Sequence, residues 1–136
     1  MILFVCSGNI NRSPLAAAVA VKLGMKAESA GLKPNRRRFS AAMRRYAEER
    51  SYRLAGTHSQ VVTTELVMRA HKIFAMNNVQ VSKLRELFPS DKHEMLNLAG
   101  TLGMKGLPDP EFLIGSAKTR AYDFIVSAVT SLQRSR

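Results

Sequence analysis

The chain opens on an unbroken apolar run, Met1 to Val5. A strand reads this way when both faces of its sheet are covered. From Ser13 to Leu23 the residues fit a helix, with Pro14 in its first turn and Gly24 just past its end. Lys26–Ala30 predicts a short second strand, Lys33–Arg38 a basic loop and Ser40–Arg50 a second helix. Thr64–Ala70 predicts a further helix, Lys72–Met76 a third strand, and Asn78–Leu87 a helix that stops at Pro89. Glu94–Leu98 is a weaker fourth strand, followed by a Gly- and Pro-punctuated loop over Ala99–Leu113. In the last segment, Ser116–Leu132, apolar residues such as Ala121, Phe124, Ile125, Ala128 and Leu132 recur with the helical period. Strands separated by helices predict an α/β three-layer sandwich: a central four-stranded parallel sheet with helices on both faces. With no repeat, low-complexity tract or Gly/Ser-rich linker, residues 1–136 read as a single domain.

Composition narrows the class. Of the 136 residues, 46% are hydrophobic and 23% charged, which suits a folded core and argues against disorder. No apolar run approaches the roughly 20 residues of a membrane helix. The apolar start lacks a basic flank and is interrupted early by Asn9, Asn11 and Arg12, so it reads as a strand rather than a signal peptide. Cys6 is the one cysteine, so neither an internal disulfide nor a cysteine metal cluster can form. A lone thiol suits a reducing compartment, and a cytoplasmic location is expected. The net charge of +11 favours anionic partners: phosphorylated proteins, nucleic acid or a membrane surface. Lys33 to Arg53 alone holds eight basic residues against Glu48 and Glu49.

Charge does not choose among those partners, but one motif does. Cys6-Ser7-Gly8-Asn9-Ile10-Asn11-Arg12-Ser13-Pro14 contains C-x5-R-S between a predicted strand and a predicted helix. Backbone N–H groups between the cysteine and the arginine can converge on one tetrahedral oxyanion, and the following helix adds its positive N-terminal end. Gly8 is expected to take a backbone conformation that a side chain would penalise. Asn9 and Asn11 tolerate left-handed geometry. The same amides favour Cys6 as a thiolate. Arg12 offers a planar fork for two phosphate oxygens, and Ser13 can hydrogen-bond the sulfur. By itself C-x5-R is a weak pattern, and a cysteine ending a strand is commonly an inert buried residue. The strand before, the helix after and the Ser-Pro exit turn the reading towards a phosphate-binding loop formed by Ser7, Gly8, Asn9, Ile10, Asn11, Arg12 and Ser13.

The loop resembles the C-x-G-N-x-x-R-S-P of the low-molecular-weight protein tyrosine phosphatases. Three further stretches resemble that family in the same order: Ser29-Ala30-Gly31, His58 and Pro108-Asp109-Pro110. The resemblance implies that Cys6 is the nucleophile, Arg12 the phosphate clamp and Asp109 the general acid, then base. It also implies that Asn9, Ser29 and His58 hold the loop in shape. Neither metal nor organic cofactor is implied. Asp109 between two prolines is also plain turn chemistry, and His58 on its own would read as a surface or core histidine.

The sequence departs from the family pattern in several places. The family commonly has a second cysteine before the loop arginine, where this chain has Asn11, so Cys6 has no neighbouring thiol for a protective disulfide. The thiol relay of the related arsenate reductases is excluded for the same reason. The cleft walls expected of a phosphotyrosine enzyme are thin: Ser7 follows the cysteine, Asn35 and Arg36 stand where many members have a tryptophan, and only Phe112 remains as a stacking candidate. Met76-Asn77 replaces the family's Met-Asp. Ile10 occupies the position at which phosphoarginine-directed relatives have threonine, and its bulk speaks for phosphotyrosine.

The expected partners are a phosphorylated protein or peptide, an acidic one if Arg36–Arg38 face the substrate, and inorganic phosphate or a similar oxyanion. Phosphoarginine or phosphoserine as substrate, and a catalytically silent phosphate- or nucleic-acid-binding module, remain as alternatives. Salt dependence separates the last of these, since nucleic-acid affinity falls steeply with salt.

Overall fold

The structure, a computed structural model, describes residues 1–89 and 93–134. Four strands, β1 (Ile2–Cys6), β2 (Ala27–Gly31), β3 (Lys72–Ala75) and β4 (Glu94–Asn97), form one parallel sheet in the order β2-β1-β3-β4. Helices α1 (Arg12–Lys22), α2 (Ala41–Glu49), α3 (Thr64–Arg69), α4 (Asn78–Leu87) and α5 (Gly115–Arg134) cover it. The α/β sandwich read from the sequence is the observed architecture.

The unbroken apolar run of β1 has a direct cause. Ile2, Phe4 and Cys6 enter a core with residues of α1, α2 and α5, while Leu3 and Val5 enter another with Leu66 and Val67 of α3 and Val81 and Leu84 of α4. Side chains alternate across a strand, so a strand with a core on each side needs apolar residues throughout. Leu3, Phe4 and Val5 have no solvent exposure, and each contributes about 1.5–3 kcal/mol by its burial. Phe4 stacks on Phe74 of β3 with ring centroids 5.9 Å apart.

Helix starts are set by side-chain caps. Ser40, Thr63 and Asn77 accept from the backbone N–H of Met43, Leu66 and Gln80 at 3.4, 3.2 and 2.8 Å. Asn77 therefore fills the capping role for which Asp and Asn serve about equally, so the departure from Met-Asp costs the helix little.

Two segments differ from expectation. Leu98–Leu102, expected as the end of the fourth strand and the start of a loop, forms a 3-10 turn. Asn97 Oδ1 accepts from Ala99 N at 2.9 Å and starts it, and the burial of Leu98 and Ala99 holds it. Five residues are too few for periodicity to reveal. Residues 51–63, for which no element is predicted, run back beside the phosphate loop. They pair through isolated bridges, Arg38 with His58 and Gly31 with Val61.

This topology fixes where a site can lie. From β1 the chain passes through α1 to β2 on one side, and later returns to β3 on the other. The carboxyl ends of β1 and β3 thus flank the crevice where open α/β sheets bind ligands. Cys6 is the last residue of β1.

Candidate active site

Residues 7–11 link β1 to α1 with no regular structure of their own. Their shape is imposed from outside. The carbonyl oxygens of Cys6, Ser7 and Ile10 accept from the N–H groups of Leu32, Lys33 and Ser40 at 3.0, 3.0 and 2.9 Å. With those carbonyls engaged by the surrounding chain, the loop is bound from its rim. Cys6 is 3% exposed, and its sulfur lies within the loop. It lies 3.0 Å from Ser13 Oγ and accepts from Asn9 N–H at 3.2 Å.

Asn9 is the pivot of this loop. It is the residue in left-handed geometry, with φ of 55°, which Asn tolerates better than most. Its side-chain amide donates to Ser13 Oγ at 2.8 Å and to Ser29 Oγ at 2.9 Å, and its Oδ1 accepts from Gln60 N at 2.9 Å. Ser13 Oγ thus accepts from Asn9 and keeps its own proton for the sulfur, 3.0 Å away, or the Ala30 carbonyl at 3.4 Å.

The special conformation expected of Gly8 is not found. Its φ lies outside the left-handed region, and a Cβ there would meet only Ile10 Cγ1, at an ordinary 3.7 Å. Asn11, at φ −128°, is not left-handed either. The glycine the loop depends on is Gly31. A Cβ built on it would lie 3.0 Å from Asn9 Cβ and 3.1 Å from the Gly8 carbonyl carbon. β2 approaches the loop so closely that a side chain has no room.

Arg12, the first residue of α1, is 6% exposed. Its Nη1 donates to the Leu107 carbonyl at 3.0 Å, and its Nη2 lies 3.5 Å from Asp109 Oδ2. Leu107 is itself tied to the end of β3, its N–H donating to Met76 O at 2.8 Å. Asp109 Oδ1 accepts from Glu111 N–H at 3.0 Å. That is the turn chemistry Pro-Asp-Pro suggests, and it leaves Oδ2 facing the arginine. The Asp109 side chain is 49% exposed and open to solvent.

Cys6, Arg12 and Asp109 line one cleft of about 180 Å³ with Ser7, Ile10, Lys33 and Arg37. Gln80, buried beneath it, donates to Ser7 Oγ at 3.1 Å and accepts from Met76 N at 2.9 Å. The remaining residues singled out in the sequence lie elsewhere. His58 is exposed, its Nδ1 2.8 Å from Thr57 Oγ1; the amide that reaches Asn9 belongs to Gln60, two residues on. Asn35 is engaged through its carbonyl, which accepts from Ser59 Oγ at 3.0 Å. Arg36 faces a different cavity from Cys6, and Phe112 is 89% exposed, outside the cleft lining. Of the Arg36–Arg38 cluster offered as substrate-facing, Arg37 lines the cleft; sequence reasoning missed Gly31's close approach, Gln60, Gln80 and the cleft position of Lys33. Gln80's spacing of three from the capping Asn77 was the one signal available. Among the described residues no three His, Cys, Asp or Glu side chains gather to hold a metal ion, and no helix is long and apolar enough to cross a membrane.

The fold recurs in solved structures. Vibrio vulnificus Wzb, in complex with benzylphosphonate, aligns with a TM-score of 0.90 at 25% identity, over 99% of this chain and 97% of that one. The YwlE arginine phosphatase from Geobacillus stearothermophilus aligns with a TM-score of 0.87 at 26% identity, over 98% and 90%. A low molecular weight protein tyrosine phosphatase from T. tengcongensis aligns at 0.87 and 21% identity, over 99% and 98%. Among curated protein sequences none matches. A sequence model of the low molecular weight phosphotyrosine protein phosphatases matches residues 1–133. The chain, with its cysteine loop, belongs to that family and is a cysteine-dependent phosphatase.

Proposed function

We propose that this enzyme hydrolyses phosphotyrosine in proteins or peptides, with Cys6 as nucleophile, Arg12 as phosphate clamp and Asp109 as general acid and base. The observation that carries the reading is the convergence on one cleft of the Cys6 sulfur, with Ser13 and Asn9 at hydrogen-bonding distance, and the Arg12–Asp109 pair. A thiolate at Cys6 would have two hydrogen-bond donors. It attacks phosphorus, an S–P bond forms as the bond to the tyrosyl oxygen breaks, and Asp109 gives that oxygen its proton. Water then attacks phosphorus, Asp109 takes up the proton, and the S–P bond breaks to release inorganic phosphate. Ser13 can donate to the departing sulfur. The loop amides and Arg12 hold the three non-bridging oxygens throughout, the electrostatic term that weighs most in such reactions.

Three observations bear on the substrate. Ile10 lines the cleft, and its branched side chain narrows the space beside phosphorus, which favours a flat aryl ester. Against this, a relative of similar identity is an arginine phosphatase, so phosphoarginine is the second reading. Lys33 and Arg37, also in the lining, favour phosphopeptides with acidic neighbours. Turnover of a chromogenic aryl phosphate by the wild type and by Cys6→Ser tests the mechanism. The serine variant is expected to lose all activity and still bind vanadate; a tenth of the wild-type rate would rule out attack by the thiolate.

A further inference from the structure

Behind the phosphate loop lies a second cavity of about 440 Å³, more than twice the volume of the cleft that holds Cys6. Its size falls in the range of small-ligand sites. Much of its lining is apolar, with Ala17, Ala18 and Val21 of α1 facing Leu54. Another part of the wall is Asn9 and Ser29, the reverse side of the loop that carries the thiol. Arg36 and Arg53 also line it, and both are exposed. Among the described residues neither guanidinium makes an ion pair or hydrogen bond. The carboxylate in the lining, Glu28, is already held by Arg69 at 2.8 Å.

An apolar lining with two uncommitted guanidinium groups suits an anion with an apolar body. A bare inorganic anion would leave the apolar wall unused, and a neutral ligand would leave the arginines unused. We propose that this cavity is a second binding site, for a small aryl- or alkyl-carboxylate, and that its occupancy is felt at Cys6 through Asn9. The route is short. Asn9 donates to Ser29 on the cavity side and to Ser13 on the other, and Ser13 Oγ and the Asn9 N–H are the two groups at the sulfur. A ligand packed on Asn9 and Ser29 stands one side chain from the nucleophile. It changes catalysis to the extent that it binds one arrangement of Asn9 better than another.

Calorimetric titration of the full chain with phenylbutyrate, and with its neutral amide, tests the site. Each titration is run with and without saturating vanadate, which occupies the Cys6 cleft. Phenylbutyrate is expected to bind with vanadate present, and the amide at least about 10-fold more weakly, the loss of a charge-assisted contact. Arg53→Glu, and independently Val21→Trp at a half-exposed position, should each weaken binding by a similar factor while leaving basal turnover of an aryl phosphate unchanged. Saturating phenylbutyrate should shift the wild-type kcat/KM by about 5-fold or more, the usual size of coupling between sites. Displacement by vanadate, equal binding of the amide, or full binding by both variants would overturn the site. Binding with no change in kcat/KM would overturn the coupling. Calorimetry does not depend on turnover, so a failure here is separable from a failure of the proposed reaction.

Discussion

The hydroxyl of Tyr122, on α5, donates a 2.8 Å hydrogen bond to Oδ1 of Asn11, the last residue of the phosphate loop. The two residues lie 111 positions apart, and both are buried. Asn11 stands where the family commonly has a second cysteine, and here the position makes a structural tie. The tie extends further, since Tyr122 packs against Tyr46 at 4.9 Å and the Arg50 guanidinium lies 3.7 Å over the Tyr46 ring.

Tyr122→Phe keeps the ring and removes the donor. Asn11 Oδ1 is then buried without its partner, at a cost of ~1–3 kcal/mol. Denaturant unfolding should show that loss in the midpoint at constant slope. Because Asn11 adjoins Arg12, kcat should also fall several-fold. An unchanged midpoint would mean that Asn11 finds another donor.

Alkaline pH should act on the same place. Burial raises the Tyr122 pKa above the ordinary value near 10; the charge of Asp109 adds to this and a bond from Ser40 opposes it. Tyr46 is raised too, first by burial and then by its 2.6 Å hydrogen bond to Asp123. A tyrosine with a folded-state pKa above its unfolded one adds stability that is fully present below pH ~10 and is lost as pH rises through the folded value. Stability measured from pH 8 upward should therefore stay level and then fall beyond ~10, and the double change Tyr46/Tyr122→Phe should flatten that fall. An equally steep fall in the double variant would place its origin elsewhere.

The close contact of Gly31 with the Gly8–Asn9 backbone suggests a second change. Gly31→Ala puts a Cβ at 3.0–3.2 Å from Asn9 and Gly8 atoms, so the loop or β2 must shift. The backbone of Gly31 is also fixed on both sides, by Gln60 O and Val62 N. A displacement of a few tenths of an ångström at Asn9 moves both groups that meet the sulfur. Catalysis by positioned donors is sensitive at that scale. The expected result is a drop in kcat of ~10-fold or more, with a smaller loss of thermal stability. Wild-type kcat would mean that the loop absorbs the methyl group.

What the sequence could tell followed from how local each signal is. β1 was legible because burial on both faces demands an unbroken apolar run, α5 because burial on one face imposes a period over many residues, and the cysteine loop because all its parts are contiguous. Asp109 was found through a short motif, though its direct ion pair with Arg12 joins distant parts of the chain and leaves no spacing signal. Gly31 and Gln60 act on Asn9 from other segments, so only the folded chain brings out their part. Gly8 misled because a glycine in a phosphate loop invites a conformational argument, while Asn9 takes the left-handed position. Arg36–Arg38 read as one cluster, but successive residues of an extended loop point to opposite sides. Arg37 therefore reaches the cleft and Arg36 the cavity behind it.

That division sharpens the expectation for substrate charge. Lys33 and Arg37 line the cleft beside Cys6, while among the described residues Glu111 is the acid in its lining apart from Asp109. A phosphate bound at Arg12 would sit among these cations, and acidic residues next to the phosphorylated one would come within their field. Salt screens that field over a Debye length of ~8 Å at physiological strength. The attraction acts on encounter and ground-state binding of the peptide, not on the bond-breaking step. Lys33/Arg37→Ala should therefore lower kcat/KM for an acidic phosphotyrosyl peptide by ~10-fold at low salt, mainly through KM. The loss should shrink at high salt, and a neutral peptide and a small aryl phosphate should change little. Arg36→Ala, on the far side of the loop, is the control and should leave all three substrates alike. An equal fall for all substrates would mean that Lys33 and Arg37 shape the loop, as the Lys33 N–H to Ser7 O bond already does. A loss for the acidic peptide that survived high salt would assign the preference to direct hydrogen bonds instead of the field.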